Sequence, residues 1–168
     1  MPDSDLILRQ AVTADDMGTA CQLFLEYAAW LKVDLCFQGF DQELAGLPGK
    51  YAPPQGRLLL ASVEGEDAGC IALRPLEPGI GEVKRLYVRP AFRGRGIARK
   101  LARELLDAAR TIGYATLRLD TLSFMHEAAA LYRALGFVEI APYYDNPLPG
   151  VVYMELKHLS QPDAAPAS

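Results

Sequence analysis

Hydrophobic residues recur with two periods along the chain, and each period predicts one type of secondary structure. Short apolar or alternating runs are typical of strands, and they occur at residues 6–11, 57–63, 68–73, 82–88, 115–120, 137–140 and 151–156. Apolar residues spaced three or four apart are typical of one face of a helix. They occur between residues 13 and 31, over 40–47, from 97 to about 112, and over 128–135. Thr13 suits the N-cap of the first helix, and Gly136 suits the C-terminal end of the last.

The order of these elements, β-α-α-β-β-β-α-β-α-β-β, predicts a single α/β domain built on a mixed sheet. We expect the domain to cover residues 1–159. The segment 160–168 reads SQPDAAPAS, which is small and polar with two prolines. We therefore expect this segment to be a disordered tail.

Composition narrows the classes of protein that fit this pattern. A chain of 168 residues that is 51% hydrophobic and 23% charged can bury a core, which a disordered chain cannot. The net charge of −4 disfavours nucleic acid as a partner, because nucleic-acid binders are usually basic. The three cysteines include no close pair, the N-terminus is not a signal peptide, and no apolar run has the length of a membrane span. We expect a cytoplasmic protein with no metal site and no membrane association.

The stretch most suggestive of chemistry is Arg93-Gly94-Arg95-Gly96-Ile97-Ala98, between a predicted strand and a predicted helix. Glycines let the backbone approach a ligand closely, and the first N–H groups of a helix lack partners within it, so the stretch suits an anion. It is not a dinucleotide-binding G-x-G-x-x-G, because the third glycine is missing, and Gly49-Lys50 does not complete a P-loop. A tight turn with three solvated arginines is the alternative interpretation.

With its flanks, this stretch resembles the GNAT superfamily of N-acetyltransferases. The family signature Q/R-x-x-G-x-G/A is matched by Arg93-x-x-Gly96-x-Ala98. Further along, residues 128–137 read AAALYRALGF, which is similar to the second hallmark, A-x-x-L-Y-x-x-x-G-F. The resemblance covers about residues 6–156. It implies the GNAT fold, a mixed and mostly antiparallel sheet of six to seven strands flanked by about four helices.

The resemblance also implies that acetyl-CoA is the co-substrate and that no metal is required. In the family, the amides of this loop and of the first helical turn hold the diphosphate, and the preceding strand bulges and pairs with the pantetheine arm. The residues implied for cofactor binding are Leu86, Tyr87, Val88, Arg93, Gly94, Arg95, Gly96, Ile97, Ala98 and Arg99. We expect the Leu86 N–H to polarise the thioester carbonyl, because a fixed donor stabilises the tetrahedral oxyanion.

Two catalytic residues, Glu82 and Tyr132, follow from the same resemblance. In the histone-acetylating branch the general-base glutamate precedes the motif by eleven residues, as Glu82 precedes Arg93. A solvated residue at the start of a strand is the alternative for Glu82. Tyr132 matches the family's general-acid tyrosine, which serves the departing CoA thiolate, and an ordinary core tyrosine is the alternative. Met125 stands where many members have an asparagine that binds the CoA arm.

The sequence leaves the acceptor unidentified. Tyr143 and Tyr144 either line the acceptor pocket or pack a β-hairpin, and both interpretations stay open. The amine is either a small molecule or a peptide end, and a homodimer is left open. The alternatives to an N-acetyltransferase are a non-catalytic acyl-CoA-binding module and a transferase of another acyl group, such as succinyl.

No cysteine or histidine stands out as a nucleophile. Cys21 and Cys70 lie in apolar patterns and suit core positions. Cys36 is in a predicted loop with no histidine near it in sequence. His126 begins the helix that carries Tyr132, and we expect His158 on the surface.

Overall fold

The computed structural model describes residues 5–32, 35 and 39–159. The predictions for Cys36 and for residues 160–168 therefore lie outside the described residues. The helices are α1 (Ala14–Leu31), α2 (Phe40–Ala45), α3 (Ile97–Ile112) and α4 (His126–Ala134). The strands are β1 (Leu6–Gln10), β2 (Arg57–Val63), β3 (Glu66–Glu77), β4 (Ile80–Val88), β5 (Thr116–Leu122), β6 (Val138–Ile140) and β7 (Val151–Leu156). In these ranges no helix combines the length and the apolar character needed to cross a membrane.

The seven strands form one sheet in the order β1-β2-β3-β4-β5-β7-β6. Neighbouring strands are antiparallel except β4 and β5, which are parallel because α3 carries the chain back across the sheet between them. The expected mixed, mostly antiparallel sheet with four helices is confirmed.

Helices cover both faces of the sheet and bury two separate apolar clusters. On one face, α3 contributes the fully buried Leu101 and Leu105, and α4 packs beside it. On the other face, Phe24 of α1 and Phe40 of α2 pack over the sheet. Each such side chain contributes about 1.5–3 kcal/mol by leaving water, so both layers hold β4 and β5 in place.

A capping box fixes the N-terminus of α1, as predicted from Thr13. The Asp16 N–H donates to the Thr13 hydroxyl at 3.0 Å, and the Asp16 carboxylate accepts from the N–H groups of Val12 and Thr13 at 2.9 and 3.1 Å. Arg9 of β1 donates to the same carboxylate at 2.7 Å. These partners, the Val12 amide first, hold the pKa of Asp16 well below its usual range.

Three strands extend beyond their predicted bounds. β3 begins at Glu66 and continues past Leu73 to Glu77, β4 begins at Ile80 rather than at residue 82, and β5 ends at Leu122 rather than at residue 120. The predicted strand ends before Arg74 because a charged side chain is not expected in a buried strand. In the structure Arg74 pairs with Glu82 across the two strands, and Nε lies 2.8 Å from Oε1, so the charge is neutralised where the strands continue.

The sheet opens between β4 and β5. Residues 80–82 of β4 pair with residues 116–118 of β5, and beyond them both strands continue without pairing each other. The opening is flanked by α1 on one face and by α4 on the other. It is the place in the sheet where a ligand can reach between two central strands.

A β-bulge interrupts β4 at this opening, as expected for this strand. Pairing with β3 passes from Ala72–Lys84 to Cys70–Tyr87, so two residues of β4, Arg85 and Leu86, oppose one of β3. Arg85 has a φ of +62°, which is uncommon for a residue with a side chain. The bulge takes Leu86 out of the regular ladder.

Candidate active site

The motif 93–98 forms the turn that begins α3. Gly94 and Gly96 have φ values of +80° and +77°, which glycine adopts without strain, and Gly96 is the N-cap. No side chain caps this helix, and the Lys100 N–H bonds the Gly96 carbonyl at 3.1 Å. The N–H groups of residues 97–99 therefore have no partner within the helix. Such amides at the positive end of the helix dipole suit an anion.

A groove of about 460 Å³ lies between this turn, β4 and α4. Nine of the ten residues implied for cofactor binding line it. The exception is Arg95, whose guanidinium lies 5.5 Å from the centre of the Phe92 ring. The wall contributed by α4 and its N-cap consists of Met125, Glu127, Ala128, Ala130 and Leu131. The structure thus brings the predicted residues together along one groove.

Trp30 of α1 also lines the groove, and the sequence did not single it out. The residue is 41% exposed. The Arg93 guanidinium lies 4.8 Å from the centre of the Trp30 ring, and Arg93 Nε donates to the Val88 carbonyl at 2.9 Å. The sequence did contain a signal for Trp30: it is a large aromatic residue near the end of a helix whose apolar face is already formed by other residues.

A smaller cavity of about 50 Å³, here called the chamber, lies in the opening between β4 and β5. It shares Leu86, Met125 and Ala128 with the groove, so the two cavities adjoin at the bulge. The polar side chains that line the chamber, apart from the tyrosines Tyr27 and Tyr132, are Lys84, Arg85, Asp120, Thr121 and Asn146. A small polar space therefore lies beside a longer groove.

Tyr132 of α4 lines the chamber and is almost fully buried. Its ring packs edge-on against Phe137 with the centres 5.5 Å apart. Burial raises the pKa of its hydroxyl. Among the described residues, none hydrogen-bonds this hydroxyl. Tyr132 is thus a core residue by packing and a chamber residue by position.

Glu82 lies in the centre of the sheet and is 1% exposed, so the alternative of a solvated strand-end residue is wrong. Arg74 Nε donates to Oε1 at 2.8 Å, and the Tyr143 hydroxyl donates to Oε2 at 2.7 Å. Glu82 lines neither the groove nor the chamber. One hydrogen bond, through Tyr143, connects its carboxylate to the loop between β6 and β7.

Tyr143 and Tyr144 lie over two carboxylates, the buried Glu82 and the partly exposed Asp120. Tyr143 donates to Glu82, as described, and Tyr144 donates to Oδ2 of Asp120. Both rings pack against Tyr153 of β7, with centres 5.3 and 5.6 Å away. Burial raises the pKa of both hydroxyls, so both remain protonated donors. The two tyrosines pack on the sheet, and neither lines the groove or the chamber.

Two charged chamber residues, Lys84 and Asp120, were not singled out from the sequence. Lys84 Nζ lies 3.7 Å from Asp120 Oδ1, and Asn146 donates to Asp120 Oδ2 at 2.8 Å. Burial lowers the pKa of Lys84 despite the nearby carboxylates. A signal was present: Glu82 and Lys84 are two apart in a strand, so their side chains point to the same face.

The other residues considered from the sequence, two cysteines and two histidines, lie at positions that suit structural roles. Cys70 is fully buried, its thiol donates to the Arg85 carbonyl at 3.3 Å, and burial raises its pKa. Cys21 is half-buried on α1, His126 is the first residue of α4, and His158 is exposed. Within the described ranges, no three His, Cys, Asp or Glu side chains form a group that could hold a metal ion.

Residues 24–137 match the model of the Acetyltransferase (GNAT) family. This chain belongs to the GNAT family. An uncharacterised N-acetyltransferase of Schizosaccharomyces pombe is 40% identical over 159 residues, which cover 94% of this chain and 98% of that relative. An uncharacterised N-acetyltransferase of Escherichia coli is 36% identical over 122 residues, which cover 71% of this GNAT chain and 72% of the relative.

Solved structures agree with the GNAT assignment. A Klebsiella pneumoniae protein named as an acyl-CoA N-acyltransferase has a TM-score of 0.71 and 31% identity, covering 91% of this chain and 97% of its own. An acetyltransferase of Salmonella typhimurium, solved with its cofactor acetyl-CoA, has a TM-score of 0.70 and 20% identity, covering 98% and 100%. This GNAT chain is therefore an acyltransferase by family and by fold.

Proposed function

We propose that this GNAT chain is an N-acetyltransferase that moves an acetyl group from acetyl-CoA to a primary amine by direct attack in a ternary complex. The observation that carries the proposal is the junction of groove and chamber at Leu86. Direct transfer needs the amine and the thioester to be held together in a defined geometry. A junction between a cofactor-sized groove and a small polar cavity provides such a place.

The groove residues fit the parts of acetyl-CoA. The free amides of residues 97–99, with Arg93 and Arg99 beside them, would hold the diphosphate. The apolar wall from α4 would pack along the pantetheine arm. The bulge leaves the Leu86 N–H outside the regular ladder, where it would donate to the thioester carbonyl. One such donor contributes roughly 10²–10³ in rate.

Glu82 is the proposed general base. A lysine-like amine with a pKa of ~10.4 is neutral in about one molecule in 2,500 at pH 7, a cost of about 4.6 kcal/mol without a base. The hydrogen bond from Tyr143 to Glu82 supports a relay. Because Tyr143 lines neither cavity, the relay needs a water between the amine and this hydroxyl. The amine gives its proton to that water, the water gives one to the Tyr143 oxygen, and Tyr143 gives its own proton to the Glu82 carboxylate, so Tyr143 is never left ionised.

Tyr132 is the proposed partner of the departing thiolate. Transfer from an unperturbed phenol to a thiolate is uphill by about 2 kcal/mol, and burial raises the pKa of Tyr132 further. The hydroxyl therefore acts first as a hydrogen-bond donor to the developing thiolate, and proton transfer is completed as CoA leaves. The lack of a competing partner for this hydroxyl among the described residues supports that role.

Gly96→Asp tests the diphosphate site, and Gly79→Asp is its control. The two glycines have φ values of +77° and +78°, and a Cβ at either would meet no heavy atom within 4 Å, so the backbone strain is matched. The carboxylate introduced at the N-cap of α3 would repel the diphosphate. We expect acetyl-CoA to raise the melting temperature of the wild type and of Gly79→Asp but not of Gly96→Asp. At an acetyl-CoA concentration 100-fold over Kd, binding stabilises the folded state by about 2.7 kcal/mol.

Release of CoA thiol over a panel of amines tests the transfer itself. Thiol release that depends on both acetyl-CoA and an amine is the expected result. A melting shift with no thiol release would favour a non-catalytic acyl-CoA-binding module. Faster release from succinyl-CoA than from acetyl-CoA would favour another acyl donor. A well-folded wild type with no melting shift would contradict the cofactor assignment.

A further inference from the structure

The ammonium group of Lys84 lies in the chamber, and no described residue hydrogen-bonds it. The side chain is 4% exposed, and its ionic contact within the described part of the chain is Asp120 Oδ1 at 3.7 Å. That separation is too long for a hydrogen bond. A buried ammonium needs hydrogen-bonded partners to offset its desolvation, so Lys84 has donors that a ligand in the chamber can use.

The neighbouring cations are already engaged. Arg85 donates to both carboxylate oxygens of Glu43 at 2.9 Å. Arg74 donates to Glu82 at 2.8 Å. Of the two cations among the described residues that line the chamber, Lys84 and Arg85, Arg85 holds a carboxylate in direct hydrogen bonds and Lys84 does not. Lys84 is the cation whose position favours an anion from outside the chain.

Asp120 supplies the opposite charge beside Lys84. Its Oδ2 accepts hydrogen bonds from Tyr144 and Asn146, which fix the carboxylate. Its Oδ1 faces Lys84. The chamber therefore presents one positive and one negative group 3.7 Å apart, an arrangement complementary to a ligand that carries both charges close together.

We propose that the acceptor is an amino acid, an amine whose own carboxylate binds Lys84 in the chamber. The proposal rests on the acetyltransferase function above and names its substrate class. A volume of about 50 Å³ has room for about three to five water-sized groups, which suits a small zwitterionic end. A polyamine would instead bring a second positive charge toward Lys84, which Coulomb repulsion disfavours.

The test compares each free amino acid with its own amide, which keeps the side chain but loses the carboxylate charge. Because the amide also has a less basic amine, kcat/KM is expressed for each substrate per neutral amine at the assay pH. Thiol release from acetyl-CoA is measured for wild type, Lys84→Met and Lys157→Met. Lys157 is 67% exposed and lines neither cavity, so its variant matches the change in charge. A second readout is the melting temperature of the CoA-saturated protein with each ligand, which needs no turnover.

We expect wild type and Lys157→Met to prefer the acid over the amide in kcat/KM by about ten- to hundredfold, the range for a hydrogen bond to a charged group. Lys84→Met should bring that ratio close to one, leave KM for acetyl-CoA unchanged, and abolish the extra melting shift given by the acid. If Lys84→Met does not fold, Lys84→Gln is measured in its place.

Three outcomes overturn the proposal. The first is equal or faster turnover of amides by the wild type, which needs no variant. The second is an acid preference that survives in Lys84→Met and Lys84→Gln. The third is a protein with no acetyl-CoA melting shift and no thiol release with any amine, which removes the acetyltransferase function itself. Turnover of amines without acid preference removes only the amino-acid acceptor.

Discussion

Two carboxylates, the buried Glu82 and the partly exposed Asp120, each accept a hydrogen bond from one of two adjacent tyrosines in the same loop. Each also lies beside a cation on the sheet, Arg74 for Glu82 and Lys84 for Asp120. Buried charge is tolerated when it is paired and hydrogen-bonded. At this scale the site is a set of compensated charges, and each substitution must be judged by the partner that it leaves behind.

Glu82→Gln is expected to lower kcat/KM at neutral pH by about 10²–10⁴, because an amide cannot accept the proton from the amine. KM for acetyl-CoA should stay nearly unchanged. The deficit should shrink as the pH approaches the pKa of the acceptor, since the amine then loses its proton without help. Kinetics over that pH range give the measurement.

Glu155→Gln is the control for Glu82→Gln. Glu155 is also buried, accepts from Arg118 at 2.9 Å, and lines neither cavity. Like Glu82→Gln, the variant Glu155→Gln removes one partner of a buried ion pair, but it leaves the proposed relay unchanged. Equal losses of activity in the two variants would assign the effect to stability, and a pH-independent deficit in Glu82→Gln would assign Glu82 to positioning.

Tyr132→Phe should lower kcat and kcat/KM together and leave acetyl-CoA binding intact, because the hydroxyl acts as the C–S bond breaks. Single-turnover rates are the measurement, since slow product release can hide the effect. Tyr114→Phe is the control: that hydroxyl donates to the Gln55 carbonyl at 2.8 Å, away from the chamber. A single-turnover rate within about twofold of the wild type, below the usual effect of acid catalysis, would make Tyr132 structural.

The sequence predicted single residues only where a motif fixed their positions. Residues of the 93–98 turn came with the motif and line the groove together, apart from Arg95. Lys84 and Asp120 belong to no motif, and a charged residue in a strand is usually assigned to a solvated face. Their chamber exists because β4 and β5 separate, and that separation depends on pairing between strands distant in sequence.

At the scale of elements, α1 connects the first strand to the groove. Its N-terminus is tied to β1 through Asp16 and Arg9, and its last turns bring Tyr27 to the chamber and Trp30 to the groove. The sequence located this helix through its cap, because local hydrogen bonds determine a cap. It did not locate the end of β3, which depends on the cross-strand pair of Arg74 and Glu82.

Asp16→Asn, which removes the N3 carboxylate of the capping box, should lower the free energy of unfolding at neutral pH by about 0.5–2 kcal/mol, the usual range for a lost cap. The folded-state pKa of Asp16 is lowered, so its stabilisation is complete above the unfolded value of ~3.9 and is lost as the pH falls toward the folded pKa. The difference between wild type and variant should therefore narrow in acid. Urea unfolding at neutral and acidic pH measures it.

Asp15→Asn provides the comparison for Asp16→Asn. Asp15 lies in the same first turn of α1 but is exposed, and exposed substitutions usually change stability by less than about 0.5 kcal/mol. If the two variants lose the same stability, the general attraction of the helix dipole for acidic residues explains the effect. The capping box would then contribute nothing of its own.

At the scale of the whole molecule, the strand order could not be obtained from the chain order. The strands follow one another in sequence, yet β7 lies between β5 and β6 in the sheet. That insertion depends on antiparallel pairs such as Asp120 with Tyr153, whose partners are distant along the chain. Periodicity predicts which segments are strands, whereas the neighbours of each strand depend on contacts that no local pattern records.

Trp30 is the one tryptophan of the chain, so the protein carries a single indole fluorophore, positioned at the groove. The Arg93 guanidinium covers one side of its ring, and 41% of the residue remains exposed. Acetyl-CoA in the groove should shift its emission to shorter wavelength by excluding water, and free adenosine should do far less. A titration then gives Kd without a label, and Trp30→Phe supplies the dark control. Unchanged emission while the melting temperature rises would place Trp30 outside the ligand's reach.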